Sequence, residues 1–164
     1  MTGLMYNRRV PKNHPRVEAC GAVDELNGAL GLARATARSE AARDRLLGIQ
    51  KELVGMMGEL ATLVEDRPRY QKDGLAVVSP AATARLGREI DAIEAAGLGF
   101  SGWVMPGGNL ESATLDAART VCRRAERRVC ALQETESSPH PEIIVYLNRL
   151  SDLLWLLARE ADRT

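Results

Sequence analysis

Five arginines fall within the ten residues Arg119-Thr-Val-Cys-Arg-Arg-Ala-Glu-Arg-Arg128. On a helix, Arg119, Arg123 and Glu126 stand at i, i+4 and i+7 and line one face. Arg124 and Arg128 line an adjacent face, with Arg127 beside them. Guanidiniums so close repel one another unless anions stand near. A polyphosphate supplies those anions through charge-assisted, bidentate bonds. Charge alone also allows a solvated helix face neutralised by internal Arg–Glu pairs.

Three further groups could meet a ligand. Asn148, Asp152, Trp155 and Arg159 are spaced i, i+4, i+7 and i+11. Asn148 and Asp152 share one side of an otherwise apolar helix, where they either satisfy neighbouring helices or contact a ligand. Asp24, Asn27 and Gly31 share another face, with Glu25 adjacent. Asp24 could pair with an arginine of a neighbouring helix or subunit, and Gly28 and Gly31 admit the close approach of a backbone or ligand. The run Trp103-Val-Met-Pro-Gly-Gly-Asn109 leads into the arginine-rich segment. Amides at a helix N-terminus can hold an anion, although Pro-Gly-Gly is also simply a good turn. Trp103 is either an exposed aromatic or the wall of a pocket.

Other chemistries find little support. The histidines are His14 and His140, both beside prolines. There is no Glu-x-x-His pair of the di-iron kind, no Cys/His spacing for zinc, and neither G-x-x-x-x-G-K-[ST] nor G-x-G-x-x-G. Nothing supports a Cys–His nucleophile.

These residues must be positioned by helices. Val23, Leu26, Leu30, Ala33 and Ala37 follow 3–4 spacing from Arg16 onward. A second helix is predicted over about Glu40 to Glu65, capped by Ser39. Gly48, Gly55 and Gly58 weaken it unless close packing compensates. Residues 66–80 read as a loop, and Pro80, capped by Ser79, opens a third helix that stops near Gly97. A glycine-rich loop over Gly97–Asn109 precedes a fourth helix from about Leu110 to Gln133. After a turn over Thr135–Pro141, the last runs from about Glu142 to Ala161. The expected fold is all-α, a five-helix bundle in a single domain over 1–164, with residues 1–15 irregular.

The 164 residues suffice for one core, and 45% apolar with 27% charged residues is ordinary for a globular chain. Only 4% are aromatic and the single Phe is Phe100, so the core must come from Leu, Ala, Val and Met. Zero formal net charge argues against a nucleic-acid surface. The bias to Arg, with Lys only at Lys12, Lys51 and Lys72, fits phosphate or carboxylate recognition and equally a high-GC coding bias. Cys20, Cys122 and Cys130 are odd in number and lack C-x-x-C spacing, which predicts reduced thiols in a cytoplasm. No signal peptide or membrane span is legible.

Three segments together resemble the PduO-type ATP:cob(I)alamin (corrinoid) adenosyltransferase family. They are Pro15-Arg-Val-Glu-Ala-Cys-Gly-Ala-Val-Asp-Glu-Leu-Asn27, Pro106-Gly-Gly108 continuing to Arg119–Arg128, and Tyr146-Leu-Asn-Arg-Leu-Ser-Asp152. The resemblance implies a homotrimer of five-helix bundles with active sites between subunits. It implies transfer of the 5′-deoxyadenosyl group of ATP to cob(I)alamin, with Mg²⁺, giving adenosylcobalamin and triphosphate. By the same resemblance, Asp24 and Arg119 would form an intersubunit ion pair and act in catalysis with Arg123. Arg123, Glu126 and Asn148 would line the nucleotide pocket, and Lys12 would approach the ATP phosphates. Trp103 would lie against the lower face of the corrin, and Asp152 would belong to the cobalamin side. A flavoprotein reductase or an adenosylcobalamin-dependent enzyme would be the protein partner, with neither nucleic acid nor membrane involved.

The resemblance departs in two places. Cys20 replaces the family's usual Tyr. The family's T-x-x-G-D-x-G-x-T-like segment, which wraps ATP phosphates, is represented only by its tail at Thr2-Gly-Leu4. The expectation is therefore an adenosyltransferase with impaired ATP binding, or with that segment encoded upstream of Met1. The alternatives are a non-catalytic corrinoid-binding or cofactor-delivery paralogue and a purely structural helical trimer.

Overall fold

The computed structural model describes residues 1–98, 103–135 and 141–163. Phe100, His140 and parts of the two expected turns around them lie outside the described residues.

The described elements are β1 (Thr2–Gly3), β2 (Arg9–Val10), α1 (Pro15–Thr36), α2 (Glu40–Leu60), α3 (Arg67–Lys72), α4 (Pro80–Ala95), α5 (Leu110–Thr135) and α6 (Pro141–Asp162). Five long helices form the bundle, and α5 packs most extensively against α6 and α1. Their apolar stripes meet in one core that includes Leu26, Leu30, Leu53, Met56, Cys122, Val129, Leu147, Leu150 and Leu154. Each fully buried Leu contributes about 1.5–3 kcal/mol relative to exposure. The one fully buried aromatic among the described residues, Tyr146, keeps its hydroxyl satisfied by donating to Glu52.

The helix starts follow the sequence signals. Ser39 Oγ accepts from Ala42 N at 3.1 Å, and Ser79 Oγ accepts from Ala82 N at 3.2 Å with Pro80 in the first turn. His14 caps α1 through Nδ1, which accepts from Arg16 N at 3.2 Å.

Three expectations need correction. The expected five-helix count leaves out α3, which lies within the segment read as a loop. At six residues, α3 is too short to show a period. Its Tyr70 is buried and donates to Ala76 O at 2.8 Å, tying the following segment to the bundle. Helix α2 ends at Leu60 rather than near Glu65, because its last carbonyls are taken from outside the helical ladder. The fully buried Arg16 donates to Leu60 O at 2.7 Å, and Thr62 Oγ1 donates to Gly58 O at 2.8 Å.

Residues 1–15 are not irregular throughout. Strands β1 and β2 pair antiparallel, Thr2 with Val10 and Gly3 with Arg9, around a tight turn over Met5–Asn7. Tyr6 and Asn7 both have φ of 58°, where no glycine signals the turn. Long-range contacts hold it. Tyr6 donates to Asp73 at 2.9 Å, Arg69 stacks 4.2 Å from the Tyr6 ring, and Arg8 Nε meets Asp66 at 2.7 Å. Strands of two residues are too short for an alternation signal.

Candidate active site on the arginine helix

Helix α5 starts from a reciprocal cap. Asn109 Oδ1 accepts from Ser112 N at 3.0 Å, and Asn109 N donates to Ser112 Oγ at 3.1 Å. Asn109 Nδ2 also donates to Ala161 O at 2.6 Å, tying the preceding loop to the end of α6. Gly108 packs against the Asp162 side chain, whose carboxylate would have to shift to admit a Cβ there. The loop therefore hangs over the last turn of α6, and Trp103 projects from it 98% exposed.

Beneath that loop is a cleft of about 550 Å³ lined by Trp103, Val104, Met105, Pro106, Asp116, Arg119 and Trp155. Trp103 is thus both readings at once, an exposed ring and a cleft wall. Arg119 enters with its Nε donating to Asp116 Oδ1 at 3.2 Å. Asp116 is 3% exposed and accepts on its other oxygen from Arg159, itself 4% exposed. The sequence pattern sets Arg159 in line with Asn148, Asp152 and Trp155 and does not single out Asp116. The local signal was the i, i+3 spacing of Asp116 and Arg119, but the partner 43 residues away was invisible.

Further along α5, Glu126 Oε1 accepts from Asn148 Nδ2 at 3.3 Å, so these two site residues from different helices are brought together. Arg123 and Asp152 are exposed nearby, and Asp152 lies 3.9 Å from Arg149. The other arginines fit the second reading of the cluster. Arg124 meets Glu25 at 2.6 Å and Arg128 meets Glu18 at 3.2 Å, across a groove floored by Gly21 and Ala22. Asp24 is exposed on the same side of α1, and Lys12 is exposed just before that helix. Within one chain, then, Arg119 is paired with Asp116, and Asp24 faces outward.

Cys20 and Cys122 sit in settings that disfavour the thiolate. Burial pushes the Cys20 thiol up from 9.0 to about 11 and raises Cys122 further. Cys122 donates to Leu147 O at 3.2 Å as a core residue. No group of three acidic, His or Cys side chains able to hold a metal occurs among the described residues. No described helix is long and apolar enough to cross a membrane.

A cationic helix face beside a tryptophan-walled cleft places this chain in the class of helical bundles whose surface can receive an anionic or planar ligand. The comparisons give that class its family. The family profile described as cobalamin adenosyltransferase matches residues 1–161, and the chain belongs to that family. The corrinoid adenosyltransferase PduO of Citrobacter freundii is 38% identical over 161 residues, which is 98% of this chain and 47% of that protein. The chain thus spans about half the length of that relative. The corrinoid adenosyltransferase of Bacillus subtilis is 38% identical over 162 residues, covering 96% of this chain and 79% of that one. Among solved structures, a variant of the PduO-type ATP:corrinoid adenosyltransferase from Lactobacillus reuteri complexed with cobalamin and ATP superposes with a TM-score of 0.88. It is 30% identical, over 99% of this chain and 88% of that one.

Proposed function

We propose that this chain transfers the 5′-deoxyadenosyl group of ATP to cob(I)alamin, releasing triphosphate. The observation that carries this reading is the end-to-end correspondence with an enzyme complexed with both cobalamin and ATP. It is joined to a cleft that places Arg119 beside two tryptophans.

The corrinoid supplies the nucleophile in such a reaction, so the protein need not activate a base. The protein's own task is alignment and charge stabilisation. In this reading Arg123, Glu126 and Asn148 hold the nucleotide, Lys12 reaches its phosphates, and Arg119 pairs with Asp24 of a second copy. Trp103 lies against the corrin, with Asp152 on the cobalamin side. Mg²⁺ fits as an ion carried on the phosphates rather than held in a protein cage.

The same reading makes the chain one domain over 1–164 that acts as a homotrimer. This reading is supported by the exposure of Asp24, of the acid–arginine seam and of Gly21 and Gly28 on α1, which leaves that face open to a second copy. Three free cysteines suit a cytoplasmic location. A flavoprotein reductase or an adenosylcobalamin-dependent enzyme is the partner chemistry would require on either side of the step.

The test is an anaerobic assay with cob(I)alamin, ATP and Mg²⁺, following adenosylcobalamin and triphosphate. Both products are expected, with Arg119→Ala reducing turnover by about 10²–10³-fold, the scale of a lost charge-stabilising donor. Neither product, with cobalamin still bound, would replace this reading by that of a corrinoid carrier.

A further inference from the structure

Arg119 is useful to the proposed reaction only if its guanidinium is held at the cleft. An isolated i, i+3 ion pair on a helix surface would hold it weakly. Here the acidic partner is not on the surface. Asp116 is buried under the cleft, with one oxygen accepting from Arg119 Nε and the other from Arg159. Arg159 in turn reaches Asp162 at 3.3 Å and lies 5.9 Å from the centre of the Trp155 ring. Two cations and two carboxylates form a line running from the buried end of α6 out to Arg119, whose side chain is 25% exposed. The bond to Asp116 uses Nε and leaves the terminal nitrogens of Arg119 outside it.

We propose that Asp116 is a positioning residue for Arg119, fixed by Arg159, so that the last turn of α6 presents a pre-set guanidinium to the cleft. The proposal rests on the reading of Arg119 as a site residue. Its physical basis is pre-organisation. A side chain already locked in the productive geometry does not lose rotamer freedom when the substrate arrives. Burial makes the lock stiff, because a buried charge stripped of its partner is strongly penalised. The same turn of α6 sets the opposite wall of the cleft. Ala161 O holds Asn109, and Asp162 abuts Gly108, in the loop that carries Trp103. One turn of helix therefore registers Arg119 against Trp103.

The experiment is a double-mutant cycle in the full chain, with Asp116→Asn, Arg119→Ala and both together. kcat and KM are measured with cob(I)alamin and ATP. Asp116→Asn is expected to lower kcat roughly 10- to 100-fold, the scale of losing the outer partner of a metal ligand. In the Arg119→Ala background the same substitution should change kcat less than about twofold, because two residues acting as a unit are not additive. Losses that multiply would overturn the proposal while leaving Arg119 a site residue. An Arg119→Ala variant with full activity would remove the site reading and the proposal together. If Asp116→Asn does not fold, Asp116→Asn with Arg159→Met removes both buried charges and takes its place in the cycle, with the same two outcomes. If the chain has no turnover, the arginine Nε–Hε spectrum of the labelled protein decides. The Arg119 signal, assigned by its loss in Arg119→Ala, should exchange slowly and join the exposed arginines in Asp116→Asn. An unchanged signal there would overturn the proposal.

Discussion

At the scale of single residues, environment divides identical side chains. Arg119 and Arg124 are five positions apart on one helix, yet Arg119 is anchored by a buried carboxylate and Arg124 by the exposed Glu25. Truncating Arg124 should therefore change stability little, whereas Arg119 carries the proposed chemistry. Trp103 is exposed in the single chain, and in the proposed reaction it lies against the corrin. A bulky apolar ring over the lower corrin face would keep water from that position and make Co(II) easier to reduce. Trp103→Ala is then expected to impair turnover that starts from Co(II) more than turnover of pre-reduced cob(I)alamin; equal losses in parallel assays would sink this role. Cys20 offers a prediction independent of function. Its thiol is raised from 9.0 to about 11 by burial, against a smaller lowering influence from Arg16. Between those values the folded chain retains a proton that the unfolded chain has released. Stability should thus fall as pH rises through that window. Urea denaturation of Cys20→Ala over the same range should show a shallower decline.

At the scale of elements, the glycines of α2 separate packing from propensity. A Cβ at Gly58 would come within 2.6 Å of the Tyr70 hydroxyl, and at Gly55 within 3.0 Å of Ala76. Gly48 has nothing within 4 Å. Gly48→Ala should stabilise by up to about 1 kcal/mol, the helix-propensity difference. Gly58→Ala should destabilise by about 1–3 kcal/mol, because Tyr70 is buried and its bond to Ala76 is displaced. Chemical denaturation of the two variants checks both signs, and Tyr70→Phe should relieve part of the Gly58→Ala loss. The three glycines look alike in the sequence. Close packing, expected to compensate for all of them, does so at Gly55 and Gly58 through the short helix α3 and the segment after it. The sequence of that neighbour reads as loop, so only the fold tells the compensated glycines from the uncompensated one.

At the scale of the whole molecule, the outer face of α1 and α5 is the part that a single chain leaves unexplained. Gly21 and Gly28 meet no atom that would require a glycine, and Asp24 is exposed with no proposed partner in its own chain. If three copies close this face, Gly28→Glu should lower the mass seen by sedimentation velocity from three chains to one. Helical circular dichroism should persist and turnover should fall; an unchanged mass would remove the trimer from the reading. The sequence by itself determined the five long helices, their caps at Ser39 and Ser79, and the clustering of Arg119, Arg123 and Glu126. Those features depend on periodicity and on contacts within a few residues, which the order of amino acids states directly. It also carried the family through motifs spread over most of the chain. Only the tertiary structure decided the hairpin at Thr2–Val10, helix α3, the early end of α2 at Leu60 and the burial of Asp116 against Arg159. Each depends on a partner far away in sequence, such as Asp73 for Tyr6, Arg16 for the end of α2 and Arg159 for Asp116. No local pattern encodes such pairings, because the energy that selects them appears only once the helices have packed.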